Sequence, residues 1–375
     1  MVDNTALGKN IKKYREKMGI TQTELAQRLF VSFQAISAWE RGISLPDLEN
    51  ASMLADIFNV KLDTLLHDND NNYFIAIDGG GTKTEFVLFE KSGRIIKRLV
   101  LDSTNPNSVG VEKSIDTLKK GIGELLNSSN AKYIFAGVSG VTTGNHIQTI
   151  QNALKECFGI PVTVDTDGTN LLAMAKDPAN AAIVISGTGS VIFVRKNYER
   201  TRVGGWGYMF DQPGSAYSVG RLAVNHTLSV NDGFEPKSQL SSLVEEYLGG
   251  NVWQKLSNVY EKGVSYIASI APIVVKAAEN GDKTSQNILE NEATELAKLI
   301  IHSKEKYGAP SEFLCAGGFI NNEYFKNLVE KYSNTPLYKS NAKAVVYGAC
   351  LECMRLAGEA KEKDFENNFN ESYEW

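Results

Sequence analysis

No stretch of this chain reaches the ~18–20 consecutive apolar residues that a helix needs to cross a bilayer. The opening Met1-Val-Asp-Asn-Thr-Ala has no basic segment leading into an apolar one, so a secretory signal is not expected. Cysteine is scarce: four among 375 residues do not make a disulfide scaffold and point to a reducing, cytoplasmic setting. Cys350 and Cys353 form a C-x-x-C without a second cysteine pair or a nearby His. Their surroundings, Gly348-Ala-Cys-Leu-Glu-Cys-Met-Arg-Leu356, read as a buried helix rather than a metal site. Excess positive charge is missing too. A formal net charge of −5 excludes a globally basic nucleic-acid binder. A small local DNA surface remains possible, because phosphate attraction acts over a Debye length of about 8–10 Å. What is present is an ordinary globular composition, 42% hydrophobic, with room for about two to three domains.

Residues 5–66 are helical in pattern throughout. Leu7, Ile11, Tyr14 and Met18 share one helix face that stops at Gly19. Thr21-Gln-Thr-Glu24 is a capping box opening a second helix that buries Leu25 and Leu29. Ser32 is placed to cap a short third helix with Ile36 and Trp39, which Gly42 ends. Pro46 is read as the start of a fourth helix, and Leu62, Leu65 and Leu66 as part of a fifth. His67-Asp-Asn-Asp-Asn-Asn72 carries no hydrophobe and reads as a linker.

From Tyr73 strands and helices alternate. Strands are expected at 73–78, 84–90, 94–100, 132–137 and 161–165, with helices near 111–127 and 145–158. A second series places strands at 181–186, 190–195, 200–203 and 312–316, with helices from 215 onward and near 322–332 and 342–357. Each half reads β-β-β-α-β-α-β, and two such halves facing each other form a ligand cleft. The acidic tail 358–375 is expected to fray.

The run from Thr21 to Gly42, with its flanking helices over about 5–66, resembles the Cro-like, XRE-type helix-turn-helix family. Capping, turn and hydrophobic spacing agree over several helices. The resemblance implies that the third helix enters the major groove, with Ser32, Phe33, Gln34 and Ser37 as reading residues. Gln34 suits adenine and Phe33 a thymine methyl, while Gln22 and Arg41 would bind phosphate. Residues 1–66 hold eight Lys and Arg against eight Asp and Glu. Their distribution is uneven: Lys9, Lys12, Lys13, Arg15 and Lys17 crowd the first helix. The partner implied is a double-stranded operator with an inverted repeat, bound by a homodimer.

In Phe74-Ile-Ala-Ile-Asp-Gly-Gly-Gly-Thr-Lys-Thr-Glu-Phe-Val-Leu-Phe89 a strand runs into Asp78, glycines turn the chain, and a second strand leaves. Backbone N–H groups of Gly79, Gly80 and Gly81, with Thr82, Lys83 and Thr84, are candidates to cradle phosphate. Asp78 is placed to hold Mg²⁺. Val184-Ile-Ser-Gly-Thr-Gly-Ser190 repeats the arrangement with Gly187, Thr188 and Gly189, and Gly317 and Gly318 form a third turn suited to close packing against adenosine. This set resembles the actin-like, hexokinase and Hsp70 ATPase superfamily. Within it, residues 73–357 are similar to the BadF/BadG/BcrA/BcrD group, and to N-acetylglucosamine kinase. The fold implied is an all-α helix-turn-helix domain followed by an α/β actin-like ATPase domain of two ribonuclease-H-like lobes, binding ATP, Mg²⁺ and an amino sugar.

By the same resemblance Asn105 hydrogen-bonds the sugar and Asp167 is the catalytic base, with Asp165 the competing position. Gly205, Trp206 and Asp211 fall in a sugar loop, and Trp206 suits either a core position or a sugar platform. One departure stands out: the family's Gly-Asp-Glu is replaced by Asp211-Gln212-Pro213, which displaces the sugar-binding aspartate and fixes the local backbone. A relative in the group couples ATP hydrolysis to electron transfer through an iron–sulfur cluster. That chemistry needs cysteine ligands, and the first lobe has only Cys157. Two functions remain: a regulator whose cleft sets DNA affinity, and a working amino-sugar kinase with a DNA-binding module.

Overall fold

The computed structural model describes residues 4–60, 62–66, 73–126, 130–210 and 213–373. The expected linker 67–72 and the positions Asp211 and Gln212 lie outside them.

The N-terminal module comprises α1 (Asn4–Lys17), α2 (Gln22–Leu29), α3 (Phe33–Glu40), α4 (Leu48–Phe58) and α5 (Leu62–Leu66). Leu7 and Ile11 join Leu25, Leu29, Ile36, Trp39, Leu54 and Phe58 in one core, with Tyr14 stacked on Phe58 at 5.6 Å. The capping box forms in both directions: Glu24 N–H donates to Thr21 Oγ1 (3.2 Å) and Thr21 N–H to Glu24 Oε2 (2.7 Å). Two local expectations change. Met18 lies past the end of α1 and is 41% exposed. Asp47, not Pro46, caps α4, accepting the Asn50 N–H at 2.8 Å.

Beyond Tyr73 the first lobe contains β1 (Tyr73–Gly79), β2 (Lys83–Glu90), β3 (Ile95–Asp102), α6 (Pro106–Val109), α7 (Val111–Leu126), β4 (Tyr133–Val138), α8 (His146–Phe158) and β5 (Val162–Asp165), then α9 (Asp167–Ala173). The second contains β6 (Ala181–Ser186), β7 (Ser190–Lys196), β8 (Glu199–Val203), α10 (Ala216–Asn231), α11 (Gln239–Leu248), α12 (Val252–Ala268), α13 (Ala271–Glu279), α14 (Lys283–Tyr307), β9 (Phe313–Ala316), α15 (Glu323–Ser333) and β10 (Leu337–Tyr338). The chain closes with α16 (Val346–Leu356) and α17 (Phe365–Ser372). The sheets run β3-β2-β1-β4-β5 and β10-β9-β6-β7-β8. In each, the first three strands are antiparallel and the last two join in parallel. The two halves therefore repeat one topology. β10 and α9 were not anticipated: a two-residue strand has no period to read, and α9 is buried on nearly all sides.

Alternation along the strands sends Ile75, Ile77, Phe86 and Ile134 toward α7 and α8, and Phe74, Ala76, Val87, Phe89 and Phe135 toward α16 and α17. Here the tail expectation fails. Residues 365–372 form a docked helix, with Phe365 and Phe369 buried. Asn368 Nδ2 donates to Ser92 O (2.9 Å), and Ser372 Oγ accepts the Ile95 N–H (2.9 Å). Gly93, at φ +91°, leaves room for this: a Cβ there would lie 2.4 Å from Phe365 O. The polar spacing residues Glu366, Asn367 and Asn368 conceal an i, i+4 aromatic pair that points to one face.

Cys350 and Cys353 sit fully buried in α16, and burial raises both thiols; Cys353 Sγ lies 3.5 Å from Ile75 O. This is core packing. Among the described residues no cluster of His, Cys, Asp or Glu is arranged for a metal, and no helix is long and apolar enough to cross a membrane.

Candidate interlobe site and helix-turn-helix surface

The β1–β2 turn sorts the expected phosphate residues into two layers. Gly80 N–H donates to Lys83 O (3.0 Å), and Gly80 O accepts from Ser103 Oγ (3.0 Å), fixing the turn. Gly81, Thr82 and Lys83 are exposed above it. Gly79 is buried below, where a Cβ would meet Thr104 Oγ1 at 2.5 Å. Thr84 is a correction. It is fully buried, and its hydroxyl pairs with Thr104 Oγ1 at 2.9 Å, so it supports the turn from beneath instead of facing a phosphate.

Asp78, at the end of β1, lies within reach of the charge of Asp167 at the start of α9. Asn170, one turn along α9, donates Nδ2–H to Asp78 Oδ1 at 2.6 Å. Loss of water raises Asp78 to about 6, against the lowering effect of Asn170, and the nearby Asp167 charge adds to the rise. Asp167 is also raised, again chiefly by desolvation. Its Oδ1 accepts from Thr166 Oγ1 and Gly168 N–H, both at 2.9 Å, which leaves Oδ2 to take a proton. Asp165 is occupied differently. Arg200 Nη1 (2.9 Å) and Thr169 Oγ1 (2.7 Å) bind its two oxygens, making it a bridge to β8 of the other lobe. A second bridge, between Arg195 and Glu352 (2.6 Å), is buried between β7 and α16.

In the second lobe Gly187 N–H donates to Gly189 O (2.9 Å), and Gly187 O accepts from Ala216 N–H (2.8 Å), docking the turn on α10. Gly317, at φ +107°, brings the third turn so close that a Cβ would lie 2.4 Å from Ser186 O. Between these turns opens a cavity of about 480 Å³. Its walls mix apolar Ala216, Ala268, Pro272 and Val275 with polar Thr188, Ser265, Ser269 and Asn322, beside Gly187 and Gly318. Apolar walls suit a base and the hydroxyls and amide a ribose, so this donor set fits a nucleotide. The α12–α13 wall was not legible beforehand, since small residues on inserted helices look like ordinary packing.

On the sugar side Asn105 caps α6: its Oδ1 accepts from Asn107 N–H (2.9 Å), and its Nδ2 donates to Ser139 Oγ (3.0 Å). Gly205 (φ +75°) packs against Val191, and Trp206 is 63% exposed with the Arg202 guanidinium 4.7 Å above its ring. That places Trp206 outside the core. Asp211 lies outside the described residues. The segment after it is held from behind by Glu292, which accepts from Gly214 N–H (2.6 Å) and Ser218 Oγ (2.8 Å), with its carboxyl raised by burial. Nothing in the sequence pattern marked Glu292, because it lies in a long amphipathic helix.

In the N-terminal module Ser32 Oγ caps α3, and Phe33 and Gln34 stand exposed at its start, with Ser37 half-buried. Arg41 is exposed, its Nε donating to Ser37 O (3.0 Å). Gln22 departs from expectation. Half-buried, it donates its amide to Glu40 Oε2 (2.7 Å), and Glu40 also holds Arg15 (2.6 Å), so Gln22 is engaged in a network within the module.

Comparison with known proteins agrees with these two modules. Residues 75–351 match the BadF/BadG/BcrA/BcrD ATPase family, and residues 11–65 match a helix-turn-helix model. An N-acetylmuramic acid/N-acetylglucosamine kinase of Clostridium acetobutylicum is 29% identical over 276 residues, covering 70% of this chain and 90% of that protein. A solved structure from Chromobacterium violaceum, assigned as an N-acetylglucosamine kinase, superimposes with a TM-score of 0.60 at 21% identity, over 75% of this chain and 98% of that one. The HTH-type transcriptional regulator ImmR of Bacillus subtilis is 38% identical over 61 residues, 16% of this chain and 48% of that protein.

Proposed function

The chain belongs to the BadF/BadG/BcrA/BcrD ATPase family, and from that premise we propose that it is a DNA-binding transcriptional regulator whose interlobe cleft binds ATP and an amino sugar. Occupancy of the cleft sets operator affinity through lobe closure. The observation that carries the reading is the presence of two modules in one chain: an exposed Ser32-Phe33-Gln34 edge on a capped α3, and a cavity of about 480 Å³ between glycine turns whose lining fits a nucleotide. The regulator binds an inverted repeat as a dimer.

A second reading, an active amino-sugar kinase with an autoregulatory DNA-binding module, is favoured by Asp167. Its free Oδ2 and raised carboxyl suit a base that takes the proton from the attacking sugar hydroxyl. A pure sugar sensor has no need of such a group. Mg²⁺ would neutralise phosphate charge, and Asp78 is the residue that would hold it. Gly81 brings its backbone N–H toward the phosphates, Thr82 and Lys83 add side-chain donors, and Trp206 and Asn105 flank the sugar. The two readings separate in one experiment: ADP release across a panel of amino sugars and muropeptide sugars, with operator affinity measured under the same ligands. Sugar-dependent ADP supports the kinase. A shift in operator affinity without ADP supports the regulator alone, and the absence of both ADP release and an affinity shift rejects both readings.

A further inference from the structure

Phe30 ends α2 in the left-handed region, at φ 57° and ψ 33°. Val31 N–H reaches back to Ala26 O (3.0 Å) and Phe30 N–H to Gln27 O (3.3 Å), the paired bonds of a Schellman turn. A Cβ is disfavoured in that conformation because it crowds its own carbonyl, so glycine or asparagine usually fills it. Other left-handed helix ends in this chain follow the rule: Asn59, Gly159, Gly249, Gly308 and Asn334. Tyr198 is another aromatic residue at positive φ, and its ring is held by the Arg195 and Arg355 guanidinium groups at 5.0 and 4.3 Å. Phe30 has no such compensation, since its side chain is 90% exposed. Glycine would serve the fold better at this position. The residue's use therefore lies outside the chain.

Its place in the module says where. Phe30 stands two residues before Ser32, the cap of α3, at the same end that exposes Phe33 and Gln34. We propose that Phe30 is a DNA-contacting residue whose ring seats against a thymine methyl in the major groove, extending the apolar reading edge that begins with Phe33. This rests on the DNA-binding reading above. Of the groups a duplex offers there, phosphates and base nitrogens and oxygens give a hydrocarbon ring no partner, whereas the thymine 5-methyl does.

The test uses the full chain. A preferred duplex is selected from random sequence, and each of its thymines is then replaced singly by uracil, which removes only the methyl. Wild-type protein should lose about fourfold in affinity at a contacted position, the effect of one methyl leaving a dry contact. Phe30→Gly and Phe30→Asn should bind thymine and uracil equally at that position, while amide exchange in α2 and α3 slows as backbone strain is relieved. A uracil effect that both variants retain belongs to Phe33. Wild-type affinity and an unchanged uracil profile in Phe30→Gly would overturn the proposal and leave a protein partner as the residue's use. If wild-type protein selects no duplex, the DNA-binding reading itself fails, and this inference with it.

Discussion

The Asn170 side-chain amide donates to Asp78 Oδ1 at 2.6 Å and so ties α9 to the end of β1. Because α9 also begins with Asp167, one short helix sets both carboxylates of the cleft. Gly137 makes the contact possible, since a Cβ there would lie 2.0 Å from Asn170 Oδ1.

This linkage gives a prediction about Asp78. Its folded value of about 6 lies above its ordinary 3.8, so folding favours the protonated form. The stabilising contribution is complete below the unfolded value and is lost as pH rises through about 6. Asp78→Asn keeps an acceptor for Asn170 and removes the charge. It should stabilise the nucleotide-free protein by about 1–3 kcal/mol near pH 7.5, and by little below about pH 4. Urea denaturation at both values checks this. Calorimetry should show weakened MgATP binding in the same variant, and unchanged affinity would remove Asp78 from the metal role.

A second prediction concerns α17. Phe365 and Phe369 are buried against Phe89, Tyr347 and the first sheet, with Phe369 5.0 Å from Tyr347. Phe369→Ala should destabilise the protein by about 3–5 kcal/mol, the usual cost of emptying a buried aromatic site. Truncation after Gly358 should cost at least as much. A thermal scan that leaves the truncated chain unchanged would show that the helix does not contribute.

The tail shows what limits reading from sequence. All strands but the two-residue β10 were legible, because buried central strands are apolar runs such as Phe74–Ile77, bounded by glycine turns. The helix-turn-helix was legible because capping and hydrophobic spacing are local. Asn170, Glu292 and α17 were not, because each acts through a partner distant in sequence: Asp78, Gly214 and the β2–β3 turn. The failure of Thr84 has the same origin. A hydroxyl beside a glycine turn looks available until Thr104, twenty residues away, is seen to take it.

For DNA binding, Gln34 and Arg41 should behave differently. Gln34 is exposed at the start of α3, from where a bidentate contact would read one base. Gln34→Ala should relax preference at that base pair by about 1–3 kcal/mol, while Arg41→Ala should weaken all duplexes alike and lower the salt dependence. Footprinting should show two half-sites about one helical turn apart. A single asymmetric half-site would reject the dimer on DNA.

The last prediction separates Asp167 from Asp165. Phosphoryl transfer depends mainly on positioning and charge stabilisation, and the chain offers a glycine turn suited to phosphate, the Asp78 carboxylate beside it, and Asp167, whose Oδ2 takes no hydrogen bond among the described residues. The opposing feature is the Asp211-Gln212-Pro213 departure, since about 1 Å of misplacement at the sugar can lower the rate roughly 100-fold. Slow phosphorylation of N-acetylglucosamine or a close relative is therefore expected. Asp167→Asn should abolish ADP formation while leaving ATP, sugar and DNA binding nearly intact, because the amide keeps the shape and the Oδ1 contacts. In the wild type the base must be unprotonated. Its carboxyl is raised by burial, so kcat should fall as pH drops through that raised value, sooner than an exposed aspartate would require. Asp165→Asn should act otherwise: it weakens the Arg200 bridge between the lobes, lowering stability and sugar-dependent closure while leaving the pH profile in place. If Asp165→Asn abolishes turnover and Asp167→Asn does not, the base has been assigned to the wrong carboxylate. If wild-type protein forms no sugar-dependent ADP across the panel, yet its operator affinity shifts with sugar, the kinase reading fails and the cleft is a sensor.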